Sequence, residues 1–203
     1  MCGVTGIFHF DRPESVSADL LHRMNNTIFH RGPDGDGTYV SRDGKVGLGH
    51  RRLSIIDLSE GGAQPMSNRE ETIWVSFNGE IYNHASLRME LERRGCRFRS
   101  HHSDTEVLVQ GYQAWGMRGL LERLDGMYVF AVYDETAKRI LIARDRVGVK
   151  PIYFTKRAGL FAFASEIKAL LAHPNVPATV GEVALYHYLT FLKHDKWLPH
   201  PLM

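Results

Sequence analysis

Segments of strand character in this chain come in pairs joined by very short turns, and its helices fall in blocks of their own. Residues 37–41 and 46–56 flank Arg42-Asp43-Gly44. Residues 127–133 are followed closely by 139–144, and residues 152–155 and 160–164 meet around Arg157-Ala158-Gly159. Strands so close in sequence pair antiparallel, because a parallel partner needs a crossover of about a dozen residues or more. This order excludes the strand–helix alternation of a doubly wound sheet. Two further strands are expected at residues 4–10 and 72–78, the second ended by Gly79. Ser15 or Ser17 caps a helix with Leu20, Leu21, Met24 and Ile28 on one face. Residues 31–35 break it, and residues 57–71 read as a polar loop with Gly61-Gly62 and Pro65. Asn83 caps a second helix through Leu87 and Leu91, with Gly95 just past its end. Ser103-Asp104-Thr105-Glu106 reads as the capping box of a third helix through Trp115, and Ser165-Glu166 caps a last short one.

Composition narrows the class of partner. The 203 residues suit one domain of ordinary size with a tail, at 43% hydrophobic and 24% charged residues. A net charge of +2, with the basic residues dispersed, argues against a nucleic-acid partner. The eleven histidines lie far apart, and His101-His102 has no HExxH or CxxC companion, so no metal site is expected. Cys2 and Cys96 are too few for a disulfide framework, and Cys96, after Gly95, reads as a bystander at a helix end. No apolar run is long enough for a membrane span, and the start lacks a signal-type h-region. A cytoplasmic setting, where a thiol stays free, is the expectation.

Cys2 follows the start methionine directly. Removal of Met1 leaves one residue that carries both a thiol and a free α-amine. An α-amine is substantially neutral at about pH 7–8, so it can serve as general base to the thiol nucleophile. Acyl transfer then needs no histidine dyad. Taken alone, Cys2 reads first as a small apolar residue beginning a strand, and it is the motifs further along that reverse this.

Five segments stand out together: Met1-Cys2-Gly3; Arg31-Gly32-Pro33-Asp34-Gly35; Gly49-His50-Arg51-Arg52-Leu53-Ser54-Ile55; Phe77-Asn78-Gly79-Glu80-Ile81-Tyr82-Asn83; and Ser103-Asp104-Thr105-Glu106. On these residues the chain resembles the glutaminase domain of asparagine synthetases, class II glutamine amidotransferases of the N-terminal-nucleophile hydrolase superfamily. The likeness runs from Cys2 to about Thr190. It is extended by the stretch from Ala143 to Pro151, Ala-Arg-Asp-Arg-Val-Gly-Val-Lys-Pro, and by Ser165-Glu166-Ile167-Lys168-Ala169-Leu170. Pro33 favours the asparagine synthetase branch over the phosphoribosylpyrophosphate and glucosamine-phosphate amidotransferases.

The resemblance implies an α+β fold, a four-layer αββα sandwich of two antiparallel sheets between helical layers. It implies glutamine hydrolysis through a Cys2 thioester, with the oxyanion held by the Asn78 side chain and the Gly79 backbone N–H. The substrate's α-carboxylate falls to Arg52 and its α-ammonium to Asp104, while Leu53, Ser54, Ile55, Ile56, Glu80 and the Asn78–Gly79 backbone line the same pocket. Arg31 and Asp34 are expected to shape the loop beside Cys2. By their residue types alone, Asn78-Gly79 also suits a strand-ending turn, Arg52 an exposed strand arginine, and Asp104 a first-turn helix acid. No cofactor is implied for this half-reaction; ATP and magnesium belong to the family's synthetase domain, whose Ser-Gly-Gly-x-Asp-Ser loop does not occur here. Ser59-Glu60-Gly61-Gly62 is no substitute for it. The expected organisation is an amidotransferase domain at residues 2–190 and a divergent tail at 191–203. The implied partners are glutamine and a synthetase domain or subunit that accepts ammonia. An exposed apolar face would favour a homo-oligomer. The rival readings are a glutamine-sensing module without turnover and an inactive remnant.

Overall fold

In a computed structural model, residues 1–55, 60–100 and 102–191 are described. Two antiparallel sheets form its centre. The first has strand order β2-β3-β1-β9-β8, from β1 (Gly3–His9), β2 (Gly35–Val40), β3 (Val46–Arg52), β8 (Tyr153–Arg157) and β9 (Leu160–Ala164). The second has order β4-β5-β6-β7, from β4 (Met66–Ser67), β5 (Ile73–Ile81), β6 (Gly126–Asp134) and β7 (Arg139–Arg144). Helices α1 (Ala18–Thr27) and α4 (Ile167–Leu171) cover the first sheet through Leu21, Met24, Ile7, Ala162 and Leu170. Helices α2 (His84–Arg93) and α3 (Asp104–Arg123) cover the second through Leu91, Leu108, Val75, Phe77 and Phe130. Between the sheets pack Val46, Leu48, Ala131, Tyr133 and Phe163. The result is the expected αββα sandwich, followed by α5 (Glu182–Phe191).

Local chemistry explains most element boundaries. Ser17 caps α1, its hydroxyl accepting the Leu20 N–H. Gly95 ends α2 with φ +89°, and the N–H groups of Gly95 and Cys96 return to the carbonyls of Glu92 and Leu91. Ala158 and Gly159, both at positive φ, form the two-residue turn between β8 and β9. In β3, Gly47 and Gly49 turn toward α1, where a Cβ would meet Leu21 and Val16 or Thr5 and Asn25. The alternating Val46, Leu48 and His50 turn toward the second sheet.

The structure corrects several expectations. Strand β3 stops at Arg52, not residue 56, because its neighbours begin there: Gly3 pairs with Arg51 and Gly35 with Arg52. The following N–H groups go elsewhere, Leu53 to the Cys2 sulfur and Ser54 to Asp34. Strand β5 runs through Asn78-Gly79 to Ile81, so this pair is in a strand and not in a turn. The segment expected as loop at 57–71 contains β4. Neither Ser103 nor Asn83 makes a side-chain cap; the Glu106 carboxylate instead accepts the N–H groups of Arg99 and Ser100, and Asn83 bonds Arg123 and Asp125. Ser165 and Glu166 likewise leave the α4 end uncapped by side chains, Ser165 accepting the Val4 N–H and Glu166 pairing with Arg31. The third helix does break after Trp115, at Gly116 with φ +67°, then resumes to Arg123 with Leu120 buried. Helix α5 was not anticipated; residues 192–203 of the expected tail lie outside the described residues.

His50 bridges the two sheets, its Nε2 meeting the Phe77 carbonyl oxygen at 2.9 Å. Burial pushes its imidazole down to about 4, with the Arg52 charge adding to the effect. The folded state therefore keeps His50 neutral while the unfolded chain takes up a proton below its ordinary value. Stability contributed by this group is full above about pH 6.5 and is lost as pH falls toward 4, by about 3 kcal/mol. Urea unfolding at pH 7 and pH 4.5 should show a steeper acid loss in the wild type than in His50→Gln. A second expectation concerns Gly6, where a Cβ would lie 2.2 Å from the fully buried Phe163 ring. Gly6→Ala should destabilise the fold by about 1–3 kcal/mol, and Phe163→Leu added to it should recover part of the loss.

Candidate active site

At one end of the sandwich, where the sheets part, a cavity of about 170 Å³ opens. It is smaller than the ~300–1,000 Å³ of pockets for drug-sized ligands and suits a small metabolite. Cys2 sits on its wall because β1 is a central strand, hydrogen-bonded to β3 on one side and β9 on the other. The start of the chain is tied down further. Val4 N–H donates to the Ser165 hydroxyl, Ser165 N–H donates to the Val4 carbonyl, and Arg31 Nε donates to the Cys2 carbonyl at 2.9 Å. Arg31 is itself held by Glu166 at 3.1 Å.

The Cys2 sulfur lies 3.3 Å from the Leu53 nitrogen, which donates to it, and 3.6 Å from the Leu53 carbonyl oxygen. Asp34 accepts the Ser54 N–H at 2.9 Å and so shapes the segment after β3. Arg31 and Asp34 thus occupy the loop-forming positions expected of them. Arg52, Leu53, Ser54 and Ile55 all line the cavity; Ile55 is largely exposed, and Ile56 lies outside the described residues.

The facing wall is β5, with Phe77, Asn78, Gly79 and Glu80. Beyond the short β4, one edge of β5 is open, and its N–H groups need other acceptors. Phe77 N–H finds the Gln64 side-chain oxygen at 2.7 Å, and Ile81 N–H finds Asp104 at 3.2 Å. Strand alternation points the Gly79 N–H off the same edge, between those two. A Cβ at Gly79 would lie 2.2 Å from the Met127 carbonyl oxygen on β6, so glycine is needed for the close approach of the strands. Asn78 is buried, and among the described residues its Nδ2 has no hydrogen-bond partner. An orphaned buried amide donor is costly unless something else binds it. Two donors, one on a side chain and one on the backbone, thus belong to the wall opposite Cys2.

Asp104 is buried at the start of α3 and lines the cavity with Ser103 and Thr105. Burial pushes its carboxyl above the ordinary value, with the Ile81 N–H and His84 partly offsetting this. A buried carboxylate facing a cavity is a place for a cationic group. Gln64 and Lys150 also line the cavity and were not anticipated. Gln64 falls in a segment read as polar loop. Lys150 falls in a stretch whose likeness was noticed without a role for the lysine. Among the described residues, no cluster of three or more His, Cys, Asp or Glu is placed to hold a metal ion. No helix among them is long and apolar enough to cross a membrane.

Comparison with known proteins gives a consistent family. Asparagine synthetase [glutamine-hydrolyzing] 3 of Bacillus subtilis is 41% identical over 187 residues, covering 91% of this chain and 30% of that protein. Asparagine synthetase B [glutamine-hydrolyzing] of Escherichia coli is 39% identical over 190 residues, covering 93% of this chain and 33% of that protein. The chain thus spans about a third of the length of these curated relatives. Among solved structures, glutamine phosphoribosylpyrophosphate amidotransferase from B. subtilis, complexed with ADP and GMP, superposes with a TM-score of 0.72 at 23% identity, over 84% of this chain and 43% of that one. This likeness shows the fold, two facing antiparallel sheets between helices. The sequence model described as Glutamine amidotransferase domain matches residues 1–199, and the chain belongs to the glutamine amidotransferase domain family.

Proposed function

We propose that this domain hydrolyses the side-chain amide of glutamine to glutamate and ammonia, with Cys2 as nucleophile. The observation that supports the reading most is the pairing of a thiol at the chain start with a facing wall that carries an unpartnered buried amide, Asn78 Nδ2, beside the edge N–H of Gly79. After Met1 is removed, the Cys2 α-amine takes the thiol proton, and the sulfur attacks the amide carbon. The carbonyl π electrons move onto oxygen, where Asn78 Nδ2 and Gly79 N–H stabilise the charge. Collapse of this intermediate breaks the C–N bond, and the ammonium of Cys2 returns its proton to the departing nitrogen, releasing ammonia. Water, deprotonated by the same amine, then attacks the thioester and frees glutamate and the thiol. Arg52 serves the substrate α-carboxylate and Asp104 its α-ammonium, with Glu80, Leu53, Ser54 and Ile55 completing the pocket.

The ammonia acceptor we infer is a synthetase domain or subunit that makes asparagine, because the relatives named above are glutamine-hydrolysing asparagine synthetases. ATP and magnesium would be needed only there, and the hydrolytic half would run without a cofactor. We place the enzyme in the cytoplasm. A glutamine-sensing module without turnover has no use for a thiol beside an oxyanion-binding wall.

The decisive test is turnover. Mass spectrometry of active protein should find Cys2 at the N-terminus, and Cys2→Ala should abolish glutamate formation without unfolding the domain. Full activity with Met1 retained would sink the mechanism. Asn78→Ala should lower kcat by about 10²–10³, the scale for one oxyanion donor, with little change in KM. Asp104→Asn should chiefly raise KM. Because Asp104 titrates above the ordinary carboxylate range and must be ionised to hold an ammonium, wild-type KM should rise as pH falls through that raised range. In steady-state kinetics, Asp104→Asn should flatten this rise.

A further inference from the structure

Lys150 is 5% exposed, although lysine is almost never buried without a partner. Its Nζ has one polar contact, to the Met1 sulfur at 3.3 Å, and no carboxylate within ion-pair distance among the described residues. The loop that aims it is firmly tied. Asp145 accepts the N–H groups of Val149 and Lys150, and Arg144 donates to the carbonyls of Gly148 and Lys150. The carboxylate nearest in sequence is therefore occupied by the backbone, and the ammonium faces the start of the chain.

From this geometry we propose that Lys150 is a positioning cation for the base of the reaction: once Met1 leaves, it faces the α-amine of Cys2 and keeps that amine neutral at physiological pH. A cation beside an amine disfavours the ammonium form, and only the neutral amine can accept the thiol proton. The other charged groups around Cys2 on the described elements are already engaged or assigned. Arg31 is paired with Glu166, Asp34 holds the Ser54 N–H, Asp104 holds the Ile81 N–H, and Arg52 and Glu80 line the substrate side of the pocket. His50 lies behind the strand with its Nε2 against the Phe77 carbonyl. Lys150 is the charge set against the residue that Met1 vacates.

The inference rests on Cys2 being the nucleophile, and the experiment separates the two ideas. Processed protein, checked by intact mass, is labelled with [15N]cysteine, and the Cys2 amine is titrated by NMR through its Hα; Cys96 contributes only a non-titrating amide. In Lys150→Met the midpoint should rise by about one pH unit, and Lys150→Arg should match the wild type. The acid limb of kcat/KM for glutamine should move by the same amount, an about tenfold loss on that limb with an unchanged plateau at high pH. An unshifted midpoint in a folded Lys150→Met protein, or a uniform loss at every pH, would overturn the proposal. If Lys150→Met does not fold, Lys150→Gln gives the same titration with a side chain that stays polar. Glutaminase activity surviving in Cys2→Ala would overturn the nucleophile assignment instead, whatever the titration shows.

Discussion

Everything at the site depends on a chain terminus held in the middle of a sheet. Terminal residues usually fray, because few contacts offset the entropy of ordering them. Here β1 starts at Gly3 and is bonded on both sides, by β3 and β9. Ser165 closes one flank of Val4 through two hydrogen bonds, and Arg31 grips the Cys2 carbonyl. Each tie comes from a segment distant in sequence. The placement of Cys2 thus depends on long-range contacts of the first sheet rather than on local structure.

The second wall works by leaving one edge unfinished. Strand β4 is two residues long and reaches only Trp74 and Val75, so the rest of β5 has no strand on that side among the described residues. An open edge ordinarily invites pairing with another chain. The protein caps it with side chains, Gln64 at Phe77 and Asp104 at Ile81, and the Gly79 N–H between them is turned to the pocket. Gln64 also donates to the Thr105 hydroxyl at 3.0 Å. That bond ties the start of α3, and with it Asp104, to the strand that carries Asn78.

Turn chemistry is local, and what depended on it was readable in the sequence. Gly95 at a helix end and Ala158-Gly159 between strands adopt the positive φ that their positions called for. Helix α1 was readable from Ser17 and its apolar spacing. The misreadings fall where distant residues override a local signal. Asn78-Gly79 is a turn pair in isolation, yet it stays extended because β6 pairs with it throughout. Glu106 has capping-box spacing, but the N–H groups of Arg99 and Ser100 compete for its carboxylate and win. The candidate residues read from family-like motifs, as far as they are among the described residues, line one cavity. Gln64 lies in a polar stretch without such a motif, and Lys150 in one that gave the lysine no role; only the tertiary fold sets both on the cavity wall and buries Lys150.

The direction of β3 has a practical side. The strand runs from the Ser41–Lys45 turn at Val46 to the pocket at Arg52. At about 3.3 Å per residue, that turn lies ~20 Å from the site. Arg42 and Asp43 are exposed there, and Gly44 sits at φ +69°. A fluorophore or an inserted tag at this tip would report on the domain, or tether it to a surface, without entering the cavity. An attachment at the N-terminus would instead sit beside the cavity, which Met1 and Cys2 line.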